Sequence, residues 1–372
     1  MKKNKVLFTT NIPSPYRVKF FNELGKYCDL TVLFEKGESS ERDETWEDYH
    51  FENFKGIILS GKSVDVDKAF SPGILKYIHK RKYDFIIIAN TITPTGILAI
   101  FYMKIFHVKY YLEGDGAIVK TEPYLKKMFK TCLMRKAKGY FSTSKSLDIY
   151  YKKYGANEEK IFRYPFSSVL EINVKKEILT KEEKIEVRRK IGIQEENVVL
   201  CVGQFIYRKG FDVILREWNK IDSQAGLYIV GGEACEDYIE IVKAKQLRNV
   251  HFVTFKGEKE LQRFYDAADV FVLPTREDIW GLVVNEAMAN GLPVITTDRC
   301  VSGMEMVEDG SNGYIVPVED GISLIERIDR ILQDVTLKEI MSRNALETAR
   351  EYTIENMALR HINIISDELN KE

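Results

Sequence analysis

Cysteine is sparse and scattered in this chain of 372 residues. Cys28, Cys132, Cys201, Cys235 and Cys300 form no C-x-x-C and no close pair, which excludes a zinc ribbon and a disulfide framework and points to a reducing compartment. The five histidines (50, 79, 107, 251 and 361) show no H-x-H or H-E-x-x-H spacing, so they do not read as a metal site. No G-x4-G-K-[ST] phosphate loop occurs, and there is neither a short repeat nor a low-complexity segment. Long hydrophobic runs are also missing. The opening MKKNKVLFTTNIP has only three apolar residues in a row, too few for a signal peptide. Residues 85–103 carry no charge, but Asn90, three threonines and Pro94 interrupt them. That stretch reads as a buried strand, a turn and a helix rather than a membrane span.

What is present is an ordinary globular composition, 45% apolar and 30% charged, which excludes a disordered, collagen-like or coiled-coil chain. The length favours two domains. Net charge is −1 overall, yet residues 1–170 hold 29 basic and 19 acidic residues, net +10, and the remainder is net −11. A basic half invites an anionic partner such as a membrane surface or nucleic acid. No aromatic-basic stacking module supports nucleic acid.

Short β-rich apolar runs recur: VLFTT (6–10), LTVLF (30–34), YDFIIIAN (83–90), VKYYL (108–112) and GYFSTS (139–144). Helical patterns lie between them. One is SPGILKYIHKRK, with Ser71 as N-cap and Pro72 at the first helical position. This is βαβα order, hence a doubly wound parallel sheet. Residues 171–193 are charged and lack a buried-strand pattern; Thr180 and Glu183 form a capping box there. The domain junction is placed in that stretch. A second series follows: NVVLCVG (197–203), GLYIVGG (226–232), VHFVTF (250–255), DVFVLP (269–274) and LPVITT (292–297). A further capping box, Thr336 with Glu339, precedes two closing helices. The fold class is α/β, with two Rossmann-like halves.

The segment FVLPTREDIWGLVVNEAMANGLPVI (271–295) has the most chemistry. A strand ends at Pro274, a loop carries Arg276, Glu277 and Asp278, and Gly281 opens a helix stopped by Gly291 and Pro293. Amides at a helix N-terminus favour a phosphate, and glycine permits its close approach. Asp278 and Glu286 flank that anion site with seven residues between them. Carboxylates accept hydrogen bonds from sugar hydroxyls, so the set suits a nucleotide sugar. Asp65-Val66-Asp67 is a lone D-x-D and is set aside, as is the incomplete G-x-G-x-x-G begun at Gly114, where Val119 replaces the third glycine.

Residues 271–295 resemble the E-x7-E signature of the retaining glycosyltransferases of family 4, the glycosyl transferases group 1, which have the GT-B fold. VGQFIYRKGFDVIL (202–215), LYIVGGEACEDYI (227–239) and VHFVTFKGEKELQRFYDAADVFVLP (250–274) resemble that family's first strand and phosphate loop, second strand, and base-binding stretch. NIPSPYRVKFFNEL and EGDGAIVK resemble a polysaccharide-assembly subgroup. The resemblance departs at three places. Asp278 stands for the first acid with Glu277 adjacent, Gln204 replaces an arginine, and Glu113-Gly114-Asp115-Gly116 stands where the family often has a histidine.

The resemblance implies two Rossmann-like doubly wound domains facing a central cleft. Residues 1–170 would be the acceptor-binding domain, residues 171–353 the nucleotide-sugar domain, and a final helix, 354–372, would pack back on the first. It implies transfer of a hexosyl or N-acetylhexosaminyl group from a nucleoside diphosphate sugar, commonly a UDP-sugar, with retention and without a metal or other cofactor. The acceptor would be a glycan or a lipid-linked acceptor in cell-surface polysaccharide or capsule synthesis. Arg208 and Lys209 would neutralise the diphosphate, with the Gly281 and Leu282 amides adding dipoles. Glu286 would bind the ribose, Asp278 or Glu277 a hydroxyl of the transferred sugar, and Asp115 the acceptor hydroxyl. The alternatives are a catalytically inactive nucleotide-sugar-binding partner of a membrane glycosylation complex, or a GT-B sugar-nucleotide epimerase.

KTEPYLKKMFKTCLMRKAKGY (120–140) holds seven basic residues against Glu122 alone. Tyr124, Leu125, Met128, Phe129, Cys132 and Leu133 recur near helical spacing. An apolar stripe with cationic flanks is the pattern of a helix at a lipid interface. Lys126, Lys127 and Lys130 are therefore assigned to an acceptor or membrane face. The expected location is cytoplasmic, peripheral on the inner face of the cell membrane.

Overall fold

The computed structural model describes residues 3–37, 50–79, 81–221 and 224–371. The chain forms two compact units, residues 1–168 with 353–372, and residues 169–352.

In the first unit the buried runs form strands because β-branched and aromatic side chains pack on both faces of a covered parallel sheet. The elements are β1 (Lys5–Thr10), α1 (Pro15–Gly25), β2 (Asp29–Phe34), β3 (Lys55–Ile58), β4 (Lys62–Asp65), β5 (Lys68–Phe70), β6 (Phe85–Ile88), α2 (Pro94–Ile105), β7 (Tyr111–Glu113), α3 (Tyr124–Met134), β8 (Tyr140–Ser142), α4 (Lys145–Lys153) and β9 (Ile161–Arg163). Seven strands make one sheet in the order β3-β2-β1-β6-β7-β8-β9, parallel throughout. β4 and β5 form a separate antiparallel pair. The core includes Leu7, Ile86, Ile88, Ile100, Met103 and Leu112.

The helix expected from SPGILKYIHKRK is instead one 3-10 turn, Pro72–Lys76; residue 80 of that stretch lies outside the described residues. Ser71 does not cap it, because its hydroxyl donates to the Glu35 carbonyl at 3.4 Å.

The second unit contains α5 (Lys181–Ile191), β10 (Asn197–Val202), α6 (Phe211–Glu217), β11 (Ala225–Val230), α7 (Glu236–Ala244), β12 (Val250–Val253), α8 (Glu258–Ala267), β13 (Val270–Leu273), α9 (Leu282–Ala289), β14 (Val294–Thr297), α10 (Val301–Met306), β15 (Gly313–Val316), α11 (Gly321–Gln333) and α12 (Val335–Glu351). Its six strands are parallel in the order β12-β11-β10-β13-β14-β15. The Thr180–Glu183 capping box is present on α5. The box expected at Thr336 is not; Asp334 caps α12, its carboxylate accepting the Leu337 N–H at 2.9 Å. Asp334 lies in extended backbone at the turn from α11, whereas Thr336 is already helical.

After Tyr352 the chain re-enters the first unit as α13 (Ile354–Asn370). α13 packs on α1, burying Ile354, Met357, Ala358, His361, Ile364 and Ile365. Among the described residues no helix is long and apolar enough to cross a membrane.

Candidate active site

In an open parallel sheet, the loops on either side of the point where strand order reverses diverge and leave a crevice at the carboxyl ends of the strands. In the second unit that point lies between β10 and β13. The loop after β10 ends in a 3-10 turn, Tyr207–Lys209. Gly210 closes it at φ 70°, and a Cβ there would collide with the Pro274 carbonyl oxygen. Glycine thus lets the β10 loop lie directly on the β13 loop. Two bonds to the Arg208 carbonyl fix the contact, from the Arg276 N–H at 2.8 Å and the Thr275 hydroxyl at 2.9 Å.

This seam gathers Arg208, Lys209 and Asp278. Lys209 Nζ donates to Asp278 Oδ2 at 2.6 Å, and Arg208 Nη1 lies 3.4 Å from Asp278 Oδ1. Arg208 also donates to the Glu277 carbonyl at 2.8 Å. Of the two adjacent acids, Asp278 therefore faces the cations. Its backbone is tied from the other side, with its N–H on the Arg299 carbonyl at 2.9 Å.

Arg276 has a supporting part. Its guanidinium holds Asp212 in a two-pronged pair at 2.7 and 2.8 Å, reaches Glu319, and lies 3.9 Å over the Tyr207 ring. Burial raises the Asp212 carboxyl, but Arg276 outweighs it and the net shift is downward.

Gly281 is the N-cap of α9 at φ 92°, and Ser302 holds its carbonyl at 3.0 Å. The first-turn amides of α9 have no acceptor within their own helix, so Gly281 and Leu282 present donors at the same end of the sheet. Glu286 is one turn further along the helix. Tyr265 of α8 donates to its Oε2 at 2.9 Å, and the Tyr265 hydroxyl is raised well above its ordinary pKa by burial and by Glu286. Arg208, Lys209 and the first-turn amides of α9 are groups that can donate to an anion, and Glu286 is a carboxylate that can accept from hydroxyls.

Asp115 is in the first unit, just past β7. Arg17 of α1 bridges Glu113, at 2.7 Å, and Asp115. Glu113 and Arg17 are buried, while the Asp115 side chain keeps 39% exposure. Glu113 also faces His361 Nε2 of α13 at 3.0 Å. Burial raises the Glu113 carboxyl, but Arg17 and His361 outweigh it and hold it low. Asp115 moves the other way: partial burial and the neighbouring Glu113 raise it against the pull of Arg17.

In α3 the expected stripe divides. Leu133 and Met134 are buried, whereas Tyr124, Leu125, Met128 and Phe129 are 74%, 76%, 51% and 45% exposed. Lys126 and Lys127 are exposed beside them. Lys130 does not share that face: it turns back onto Glu122 at 2.5 Å and lies 5.3 Å from the Tyr150 and Tyr154 rings. Asp65 and Asp67 occupy the β4–β5 hairpin, Asp65 on Lys68 at 2.9 Å and Asp67 on Asn11 at 2.7 Å.

Sequence reasoning missed Arg17, His361, Tyr265 and the anchoring part of Arg276. Tyr265 had a weak signal, since its segment was already matched to a base-binding stretch. Arg17 and His361 had none, because their partner Glu113 is 96 and 248 residues away.

Residues 183–348 match the family described as glycosyl transferases group 1. An uncharacterized glycosyltransferase of Methanocaldococcus jannaschii is 36% identical over 194 residues, 50% of this chain and 49% of the relative. The capsular polysaccharide biosynthesis glycosyltransferase CapM of Staphylococcus aureus is 28% identical over 193 residues, 51% of this chain and 50% of that protein. Each match spans about half of the relative's length. Among solved structures, Anabaena HepE in complex with UDP superposes with a TM-score of 0.77 at 16% identity, covering 98% of this chain and 100% of that one. At that identity the likeness carries the fold, which is GT-B.

Proposed function

From the match of residues 183–348 to the glycosyl transferases group 1, we propose that the protein is a retaining, metal-independent glycosyltransferase. It moves a hexosyl or N-acetylhexosaminyl group from a UDP-sugar to a glycan or lipid-linked acceptor in cell-surface polysaccharide synthesis. It works in the cytoplasm, at the anionic inner face of the cell membrane. The observation that carries this is the pairing of Arg208 and Lys209 with Asp278 beside the first turn of α9. UDP as carrier is supported by the complex of the fold relative HepE, and the polysaccharide role by the kinship to CapM.

In this reading the diphosphate takes both cations and the Gly281 and Leu282 amides, while Glu286 holds the ribose. As the bond from the sugar C1 to the diphosphate oxygen breaks, charge grows on that oxygen. Fixed donors aimed there are worth roughly 3–4 kcal/mol each. Asp278, relieved of Lys209, accepts from a hydroxyl of the transferred sugar, with Glu277 beside it. The acceptor oxygen bonds to C1 on the face the diphosphate leaves, which retains the configuration, and its proton passes to the leaving diphosphate. Asp115, fixed by Arg17, orients the acceptor hydroxyl.

A thermal-shift screen against UDP, GDP, ADP and their sugars identifies the donor; a ligand at about 100 times its Kd adds roughly 2.7 kcal/mol. NMR of the product reads the anomeric configuration. A retained linkage on an acceptor supports the reading. Binding without turnover supports an inactive partner instead, an altered sugar on the nucleotide an epimerase, and absence of nucleotide binding overturns the donor site.

A further inference from the structure

A cavity of about 660 Å³ opens between the end of α2 and α3. Its charged lining is Lys104, Lys127, Arg135 and Lys136, with no carboxylate among the lining residues. Tyr124 and Met128 complete one wall, and both belong to the exposed part of α3. At the end of α2, Ile105 and Phe106 are 68% and 56% exposed. Apolar side chains therefore project on both helices that border a cationic hollow.

The hollow is held in shape. Lys104 Nζ donates to the Cys132 carbonyl and to the Leu133 carbonyl at 2.9 Å, tying α2 to the last turn of α3. Burial lowers the Lys104 ammonium from its ordinary pKa, and Lys136 adds to that. Lys136 turns the chain sharply at φ 75°. The stem of Arg135 lies against Gly155, where a Cβ would come within 3.1 Å of its Cγ. Four cations line the hollow without a counter-carboxylate among its lining residues, so a phosphate there would meet several charge-assisted donors at once.

We propose that this cavity binds the phosphate headgroup of an anionic phospholipid in the bilayer, with Tyr124, Leu125, Met128, Ile105 and Phe106 resting among the acyl chains around it. The proposal rests on the membrane part of the function above and adds a defined lipid site to it. It commits to a lipid because the phosphate-seeking groups are ringed by exposed apolar side chains, an arrangement suited to amphiphiles.

Two measurements on the full chain test it. The first is co-sedimentation with phosphatidylcholine vesicles, with and without phosphatidylglycerol. The second is titration with monomeric dihexanoyl-phosphatidylglycerol, and with inorganic phosphate for comparison. The wild type is expected to bind phosphatidylglycerol vesicles and to bind the short-chain lipid saturably, one per chain. Arg135→Gln with Lys136→Asn should weaken both about 30-fold, at roughly fivefold per cation. Lys127→Gln, at an exposed position, gives a second reading of about fivefold if the pair destabilises the fold. Lys126→Gln, outside the cavity, should weaken vesicle binding alone.

Vesicle binding without saturable short-chain binding overturns the lipid site and leaves membrane docking standing. Indifference to phosphatidylglycerol vesicles overturns both, whereas sugar transfer to a soluble acceptor would still stand. Inorganic phosphate binding as tightly as the lipid overturns the commitment to a lipid.

Discussion

Lys209 Nζ and Asp278 Oδ2 meet at 2.6 Å although 69 residues separate them, and both side chains are nearly buried. The pair joins the loops after β10 and β13, and it occupies the cation that a diphosphate would need. Under the proposed function, binding a diphosphate donor here would be an exchange of partners for Lys209.

Removing one partner strands the other. Lys209→Met should cost about 1.5–3 kcal/mol of stability, since a charge-assisted bond is lost and Asp278 keeps only Arg208. Asp278→Asn in the same chain should restore most of that loss and none of the transfer activity. Urea unfolding of both single variants and the double variant measures the coupling; additive losses would show that the two groups do not interact.

Glu286→Ala should weaken UDP binding about 10- to 150-fold, the equivalent of roughly 1.5–3 kcal/mol for a hydrogen bond to a charged group. Tyr265→Phe leaves the carboxylate but removes the hydroxyl that orients it. Its effect should be about tenfold or less. Calorimetric titration with UDP separates the two.

Gly210→Ala should be among the more damaging single-methyl changes in the second unit. The residue sits at φ 70° and its added Cβ meets a backbone carbonyl, which cannot swing away. Strain of about 1–3 kcal/mol is expected, along with lost donor binding, because the turn bearing Arg208 and Lys209 must shift. A melting curve and a UDP titration check both effects.

The Glu122 carboxyl is held down at about 2, chiefly by hydrogen bonds from Lys130 and Tyr154. A depressed carboxyl stabilises above its unfolded value, near 4.3, and that contribution is lost as pH falls toward the folded value. Tethering of α3 to α4 should therefore loosen between about pH 4.3 and 2. Hydrogen exchange of residues 120–134, corrected for intrinsic rates, should show it. Glu122→Gln should abolish that pH dependence.

Chelation should leave sugar transfer intact under the proposed mechanism, in which arginine, lysine and helix amides carry the diphosphate charge. Rates measured before and after EDTA check this, and rescue by a divalent cation would overturn the metal-free reading.

The buried strands and the second-unit segment that carries the candidate site were legible in the sequence for one reason: their signals are local. Val270–Leu273, the Asp278 loop, Gly281 and Glu286 lie in one continuous stretch, and strand, loop and helix follow from its residue pattern. β4 and β5 were not legible, because β4 is exposed along its whole length and has no alternation to read. β9 is only half-buried and ends on Arg163, and β15 opens on a glycine, so neither stands out as an apolar run. Arg17, Glu113 and His361 meet only through tertiary packing, and a lone histidine on an apolar helix face gives no hint of a buried carboxylate. The stripe on α3 was visible as periodicity, but which turn would be buried depended on where α2 ends.

The return of α13 to the first unit gives the chain an unusual response to cutting. A protease that nicks the peptide between residues 168 and 169 severs one connection, yet the downstream fragment still ends in a helix seated on α1 with His361 against Glu113. Denaturing electrophoresis would show two pieces while gel filtration showed one particle. A second cut, near residues 352 and 353, would remove the remaining covalent link between the units.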